Sequence, residues 1–267
     1  MTLRALSTAA TGMKAQSINV DVIANNLANV NTSGYKKQKA NFEDLLYQQI
    51  RAVGTTTPTN TKIPTGLQVG MGTQLVSVQR YFEEQGAMDQ TGRKLDVAIL
   101  GDGFFQVVLD AQGNKGYTRA GAFTRDQDGR LLDPHGHPLD PEILVDTTVS
   151  VDKIQIAEDG RVLFQPNGQT DFQEAGQISL ARFANAEGLQ AIGENLFKAS
   201  QASGDPIVDF PGSQGLGHLA AGNLEDSNVD LVKELTDMIK AQRAYEINSE
   251  SIKTADQMLQ TATNLRR

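Results

Sequence analysis

The C-terminal stretch decides the fold of this chain: residues 224–267 read LEDSNVDLVKELTDMIKAQRAYEINSESIKTADQMLQTATNLRR, without a proline or a glycine. Apolar residues recur in it at strict intervals of seven, a spacing typical of one face of a long helix. That row consists of Leu231, Met238, Tyr245, Ile252 and Leu259. Ser227 and Asp230 precede it with the spacing of a capping box, which predicts where the helix begins. At 1.5 Å per residue, about 35 helical residues extend roughly 50 Å.

The first thirty residues carry a matching apolar row. Its members are Leu6, Met13, Val20 and Leu27, with Leu3 beside them. The poor helix formers of residues 31–34 end in Gly34, which suits the left-handed conformation that often closes a helix, so this helix is predicted to stop near Val30. One such row is typical of a core-facing helix, but two at opposite ends can form an antiparallel pair. We call these two rows, ten residues in all, the terminal seams and predict that they mediate assembly.

The middle of the chain changes to a strand pattern. Short runs rich in valine, isoleucine and phenylalanine predict strands at Asp96–Leu100, Phe104–Leu109, Val149–Ala157, Val162–Gln165 and Ile178–Phe183. Hairpin-type dipeptides, which tolerate positive φ, occur at Asp128-Gly129, Asp159-Gly160 and Asn167-Gly168. A mostly antiparallel β-rich domain follows from this pattern.

The predicted fold class is therefore α+β, with long terminal helices pairing as a coiled-coil-like core around a β-rich middle. Thr55–Gly66 contains six threonines and two prolines, a composition that favours an extended arm. The predicted domains are an N-terminal helix over residues 1–34, an extended linker or arm over 35–75, a β-rich domain over 76–222 and a C-terminal helix over 223–267.

Composition argues against several function classes. The chain has 24 lysine and arginine residues against 32 aspartate and glutamate residues, a formal net charge of −8, whereas nucleic-acid binding needs clustered positive charge. The absence of cysteine excludes disulfides, zinc-cysteine sites and a thiol nucleophile. Residues 1–20 hold no continuous apolar run of signal-peptide length, so no cleaved signal is predicted.

Motifs with catalytic or ligand-binding chemistry are weak. Gly101-Asp102-Gly103 lacks the third glycine of a dinucleotide loop and is followed by two phenylalanines. His135 and His137 stand two apart in a turn, and the remaining histidine is the distant His218. The sequence therefore predicts no catalytic, cofactor-binding or metal-binding residue, no cofactor, no small-molecule substrate and no enzymatic activity.

Several stretches together resemble a known family. They are Ala24–Lys36 (ANNLANVNTSGYK), Asp96–Phe105, Tyr117–Phe123 (YTRAGAF) and Gln242–Leu259. In this order they resemble the bacterial flagellar rod and hook family of axial proteins, and the likeness covers nearly the whole chain. Asn41–Tyr47, followed by the threonine- and proline-rich stretch and Gly66–Gly70, resembles the distal-rod branch of that family most closely.

The resemblance implies a self-assembling structural subunit of the rod in the flagellar basal body. Subunits of the family stack helically around a central export channel, form a drive shaft across the periplasm and transmit torque from the motor to the hook. The implied partners are further copies of the chain, proximal rod proteins, the hook protein, the surrounding P- and L-ring proteins and the type III export apparatus. The alternatives are a proximal rod or hook protein of the same family and, more distantly, a non-flagellar coiled-coil adaptor, a binding module or an enzyme with a β-domain site.

Overall fold

The computed structural model describes residues 2–52, 65–110, 112–166 and 171–264 of the chain. Helix α1 spans Thr2–Ala28 and helix α2 spans Leu231–Asn264. Between them the described residues form short strands and two 3-10 turns, Val151–Lys153 and Ala186–Gly188. An α+β class with a helix at each end and a β-rich middle is thereby confirmed.

The strands are short and follow one another closely in the chain. In order they are β1 Gln38–Asp44, β2 Tyr47–Arg51, β3 Leu67–Gly70, β4 Thr73–Arg80, β5 Met88–Gln90, β6 Val97–Leu100, β7 Phe104–Val108, β8 Lys115–Thr118, β9 Thr124–Arg125, β10 Leu131–Leu132, β11 Ile154–Ile156, β12 Arg161–Phe164, β13 Gln173–Gln177, β14 Leu180–Arg182, β15 Gln190–Gly193, β16 Leu196–Lys198, β17 Ile207–Asp209, β18 His218–Ala221 and β19 Asn223–Glu225. Every pair with a described register is antiparallel.

Each of the five predicted strands overlaps an observed one, namely β6, β7, β11, β12 and β14. The run Val149–Ala157 was predicted as one strand, but Val151–Lys153 forms a 3-10 turn and only the following three residues pair with β12. Two predicted turns are confirmed, with φ of 86° at Gly129 and 89° at Gly160. The third dipeptide, Asn167-Gly168, lies outside the described residues.

The start of α2 differs from the predicted capping box. Asp230 is the capping residue, because its Oδ1 accepts the backbone N–H of Val232 at 2.9 Å and of Lys233 at 3.1 Å. A carboxylate at this position satisfies donors that the first helical turn leaves unpaired. Ser227 lies upstream of the helix, so its assignment to the cap is wrong.

The chain divides into two compact units. The first comprises Met1–Leu27, Gln38–Gln79 and Asp230–Arg267. It contains both helices and two two-stranded ribbons, β1 with β4 and β2 with β3. The interval predicted as a linker thus contains β1, β2 and β3, while residues 55–64 of the predicted arm lie outside the described part of the chain.

The second unit is β-rich and comprises Ala28–Lys37 and Arg80–Val229. Its largest sheet has six strands in the order β15-β16-β8-β7-β14-β17, accompanied by the sheet β11-β12-β13 and the pairs β18-β6, β19-β5 and β10-β9. Consecutive Phe104 and Phe105 of β7 lie in different clusters because side chains alternate across a strand. Phe105 packs in the main aliphatic core, and Phe104 packs with Tyr117, Phe183 and Phe197.

Candidate assembly surfaces

The terminal seams are only partly covered within the single chain. On α1, the side chains of Leu6, Met13, Val20 and Leu27 are all half-buried, and the side chain of Leu3 lies outside the described part of the chain. On α2, Leu231 and Tyr245 are 47% and 43% exposed. The remaining three, Met238, Ile252 and Leu259, are half-buried. Large apolar side chains at helical spacing therefore keep accessible surface.

A different set of helix residues is buried, and most of its members are small or polar. On α1 the buried residues are Ala9, Ala15, Val22, Ile23 and Asn26. On α2 they are Glu234, Ala241 and Ala255, with the half-buried Asn248 completing a row at intervals of seven. Small residues let two backbones approach closely, but they remove little apolar area from water.

Contacts between α1 and α2 run antiparallel. The Asn26 amide donates to Glu234 Oε2 at 3.1 Å. One Cβ added at Gly12 would stand 3.0 Å from the Asn248 amide nitrogen, so the two helices are close at this point as well. The contact on α2 shifts from Glu234 forward to Asn248 as the contact on α1 shifts from Asn26 back to Gly12, by the same number of residues. The two helices are therefore antiparallel.

Asn26 also binds the backbone where β1 begins. Its side chain is fully buried. The amide donates to the Gln38 carbonyl at 2.8 Å and its oxygen accepts the Gln38 N–H at 2.9 Å, so the side chain pairs with Gln38 as another peptide group would. Buried polar groups are costly unless such bonds are made, so this asparagine sets the position of α1 against both β1 and α2.

We expect Asn26→Ala to loosen α1, because it removes the hydrogen bonds of Asn26 to the Gln38 backbone and to the Glu234 carboxylate, a loss of about 1 to 3 kcal/mol. Hydrogen–deuterium exchange in α1 should become faster in this variant. Asn31→Ala, at an exposed position just after the helix, is the matched control and should exchange like the unaltered chain. Equal exchange in both variants would show that Asn26 does not hold the helix.

A cluster of buried charges lies in the β-rich unit. The Lys36 ammonium contacts Glu225 Oε1 at 2.7 Å, and the Arg119 guanidinium contacts Glu225 Oε2 at 2.9 Å. These three side chains are at most 4% exposed. Arg119 also donates to the carbonyls of Gly101 and Gly103 at 2.8 and 2.9 Å. This explains the glycine-flanked turn: it presents carbonyl oxygens to a cation.

Burial dominates the electrostatics of Lys36. It lowers the pKa of the ammonium group below its ordinary value, and the neighbouring Arg119 guanidinium lowers that pKa further. The Glu225 carboxylate acts in the opposite direction, both by its charge and by its hydrogen bond. Two cations therefore share one buried carboxylate, an arrangement that is favourable only while the carboxylate is present.

An exposed apolar surface on β1 and β4 was not anticipated from the sequence. Phe42, Val76 and Val78 are all exposed. Strand alternation places Val76 and Val78 on one face of the ribbon, while the Asn41 amide, which donates to Gln79 Oε1 at 3.0 Å, marks the other, polar face. The ribbon β2–β3 and the residue just before β2 add exposed apolar side chains nearby in sequence, namely Leu46, Tyr47, Ile50, Leu67 and Val69. We call these eight exposed apolar residues, from Phe42 to Val78, the ribbon surface.

His135 and His137 lie beside the carboxylate of Glu194. His135 Nδ1 and His137 Nε2 lie 3.8 and 3.7 Å from one carboxylate oxygen of Glu194, a spacing that forms ion pairs when the imidazoles are protonated. Across the described ranges, no group of three or more histidine, cysteine, aspartate or glutamate residues is arranged to hold a metal ion. Neither helix, over its described length, is long and apolar enough to cross a membrane.

Three protein families match separate parts of the chain. The family described as Flagella basal body rod protein matches residues 6–36, the Flagellar hook protein FlgE/F/G D1 domain matches residues 98–164, and the Flagellar basal body rod FlgEFG protein C-terminal family matches residues 220–265. Lys36, Arg119 and Glu225 each lie in a different one of these intervals.

Similar bacterial proteins match over nearly the full length of the chain. The Flagellar basal-body rod protein FlgG of Borreliella burgdorferi is 49% identical over 265 residues, which cover 99% of each chain. The proteins of the same name from Caulobacter vibrioides and Bacillus subtilis are 46% and 40% identical, and each match covers 99% of this chain and 100% of the relative.

Proposed function

The chain belongs to the family of flagellar basal-body rod proteins, and from that premise we propose how its surfaces build the rod. It is a structural subunit of the distal rod, located in the flagellar basal body. The family is a structural one and is not known as a family of enzymes. Family membership implies assembly with other rod and hook components.

The terminal seams bury their apolar rows against other copies of the chain. The observation that carries this proposal is the contrast between the buried residues of α1 and α2, which are mostly small or polar, and the seam residues, of which Leu231 and Tyr245 are 47% and 43% exposed. A repeating assembly removes this apolar surface from water at roughly 25 cal/mol per Å². Leu3, whose side chain lies outside the described part of the chain, continues the α1 seam on the sequence spacing.

The two helices form the inner, coiled-coil-like core of a helical homopolymer around a central export channel. The antiparallel contacts of Asn26 with Glu234 and of Gly12 with Asn248 support the pairing. The resulting shaft transmits torque from the motor to the hook. Export of the unfolded chain through the type III apparatus accounts for its route out of the cytoplasm.

The specific neighbours in this proposal are the proximal rod proteins, the hook protein and the surrounding P- and L-ring proteins. Location between the proximal rod and the hook, seen by labelling the chain in isolated basal bodies, would support the position. Purified protein should form helical tubes visible by electron microscopy. A chain that stays monomeric at high concentration, or a label at the base of the rod, would contradict the proposal.

The ribbon surface provides a second contact between subunits. Its eight large apolar side chains, between Phe42 and Val78, are each at least 37% exposed in the described part of the chain. Exposed apolar patches of this kind mark interaction sites. The arm predicted for Thr55–Gly66 lies between β2 and β3 in the sequence, and residues 55–64 of it lie outside the described part of the chain.

Val76→Glu is expected to raise the critical concentration for polymer formation at least tenfold, because it places an unpaired carboxylate in a contact that every subunit repeats. Ser77→Glu is the control, since the same charge then lies on the opposite, polar face of β4. Sedimentation of polymer at increasing protein concentration measures both. If the two variants polymerise equally well, the apolar face of the ribbon is not a contact.

A further inference from the structure

The segment that leads into α2 closes the β-rich unit through one carboxylate. Glu225 Oε1 accepts hydrogen bonds from Lys36 Nζ at 2.7 Å and from the Gly86 N–H at 3.1 Å. Its Oε2 accepts the Arg119 Nε–H at 2.9 Å. The Glu225 backbone carbonyl accepts the Gly34 N–H at 2.7 Å, and the φ of +70° at Gly34 allows the backbone to make this approach.

Three residues after Glu225, Asn228 binds the same two segments of the chain through uncharged groups. Its Oδ1 accepts the backbone N–H of Lys37 at 2.6 Å. Its Nδ2 donates to the carbonyls of Tyr81 and Glu84 at 3.1 and 3.0 Å. Residues 225–228 therefore bind two segments at once, the one that follows α1 and the one that follows β4.

The charges at this point are not balanced without Glu225. The other hydrogen bonds of Lys36 and Arg119 go to backbone carbonyls, including those of Glu84 and Gly101. Carbonyl dipoles solvate a cation but do not neutralise it, and the Glu84 carboxylate opposes the effect of burial on the Lys36 pKa less than Glu225 does. Burial of two adjacent cations is unfavourable unless their partner is in place.

We propose that Lys36, Arg119, Glu225 and Asn228 form a closure lock, which makes folding of the β-rich unit conditional on seating the segment before α2 against the segment after α1. Lys36 and Glu225 are separated by 189 positions, and Arg119 and Glu225 by 106. Until Glu225 is in place, the Lys36 and Arg119 cations repel each other, and this repulsion opposes closure of the site that binds its carboxylate. The lock thereby links completion of the β-rich unit to placement of both segments that continue into the helices.

The closure lock acts within the β-rich unit and does not depend on the terminal seams. A residue that merely fills space at position 225 would be replaced without penalty by glutamine, which has the same shape. A lock makes a different prediction, because glutamine leaves two buried cations unneutralised. Removing one of those cations as well should then restore part of the lost stability.

The test compares Glu225→Gln, Lys36→Met and the double variant in the full-length protein, with the exposed Glu174→Gln as control. Circular dichroism should show that Glu225→Gln lowers the Tm by about 10 °C. Hydrogen exchange in β6 and β18 should accelerate in the same variant. The double variant should regain at least half of the lost Tm, and Glu174→Gln should match the unaltered chain.

The proposal is overturned if the double variant is no more stable than Glu225→Gln, or if Glu225→Gln behaves like Glu174→Gln. Should Glu225→Gln yield no folded protein, Glu225→Ala is refolded in acetate and, at equal ionic strength, in acetamide. Recovery of folded Glu225→Ala in acetate alone supports a binding site for one carboxylate between Lys36 and Arg119. Equal yields of folded protein in acetate and acetamide overturn the proposal. Polymerisation is not a readout in any of these measurements, so they are independent of the proposed assembly.

Discussion

Met13→Asp is expected to abolish polymer formation by the purified protein while leaving the β-rich unit folded. Met13 is half-buried in the single chain, so a carboxylate can remain hydrated in the monomer. Burial of that carboxylate in a subunit contact without a partner costs about 3 to 5 kcal/mol, and every subunit of the polymer carries the same defect. Ile252→Asp, in the other seam, should have the same effect.

Electron microscopy and sedimentation measure the polymer, and hydrogen exchange in β6–β8 reports whether the β-rich unit is intact. Ser7→Asp is the matched control, because Ser7 is exposed on α1 and lies off the row that contains Leu6 and Met13. It should polymerise normally. Polymers of ordinary length and stability from Met13→Asp would show that the seam faces solvent in the assembly.

Gly121→Ala is expected to unfold the β-rich unit or to destabilise it by more than about 4 kcal/mol, a loss that marks severe backbone or core disruption. A Cβ at this position would overlap the carbonyl oxygen of Val97 and stand 3.1 Å from the Phe105 ring. The Val97 N–H donates to the Gly121 carbonyl at 2.9 Å, so the two backbones cannot separate without losing this bond. Phe105 is fully buried and cannot move aside cheaply.

Urea unfolding of the two glycine variants separates this overlap from simple conformational strain. Gly136→Ala is the control, because Gly136 has a φ of 93° and no atom within 4 Å of an added Cβ. It should lose only about 1 to 2 kcal/mol. If Gly121→Ala loses no more than Gly136→Ala, the close packing of residue 121 on β6 does not limit stability.

Local patterns predicted the elements that depend on neighbouring residues. Both helices follow from apolar residues at intervals of seven, since that period is a property of the helix itself. The turns at Gly129 and Gly160 follow from a backbone conformation that glycine adopts without strain, and both have positive φ. The full-length resemblance likewise rests on short motifs that can be read in order along the chain.

Where two local patterns were equally suitable, the sequence could not show which of them the fold uses. Ser227 and Asp230 both suit a helix cap, and the observed cap is Asp230 because the preceding Asn228 is held by Lys37, Tyr81 and Glu84. On α2, the seam and the row containing Ala241 have the same period. Only the approach of α1 decides that Ala241 is buried.

By itself, the sequence determined the two helices, the β-rich middle, several turns and the family, because each is encoded by residues close together in the chain. The tertiary structure alone decided which helix rows are buried, that β1–β4 expose an apolar ribbon surface, and that Lys36, Arg119 and Glu225 meet. Charged residues in separate motifs show no periodicity that could reveal their contact. Folding brings Lys36 and Arg119, which are 189 and 106 positions from Glu225 in the sequence, within 3 Å of its carboxylate. The loss of water around these groups makes the contacts strong.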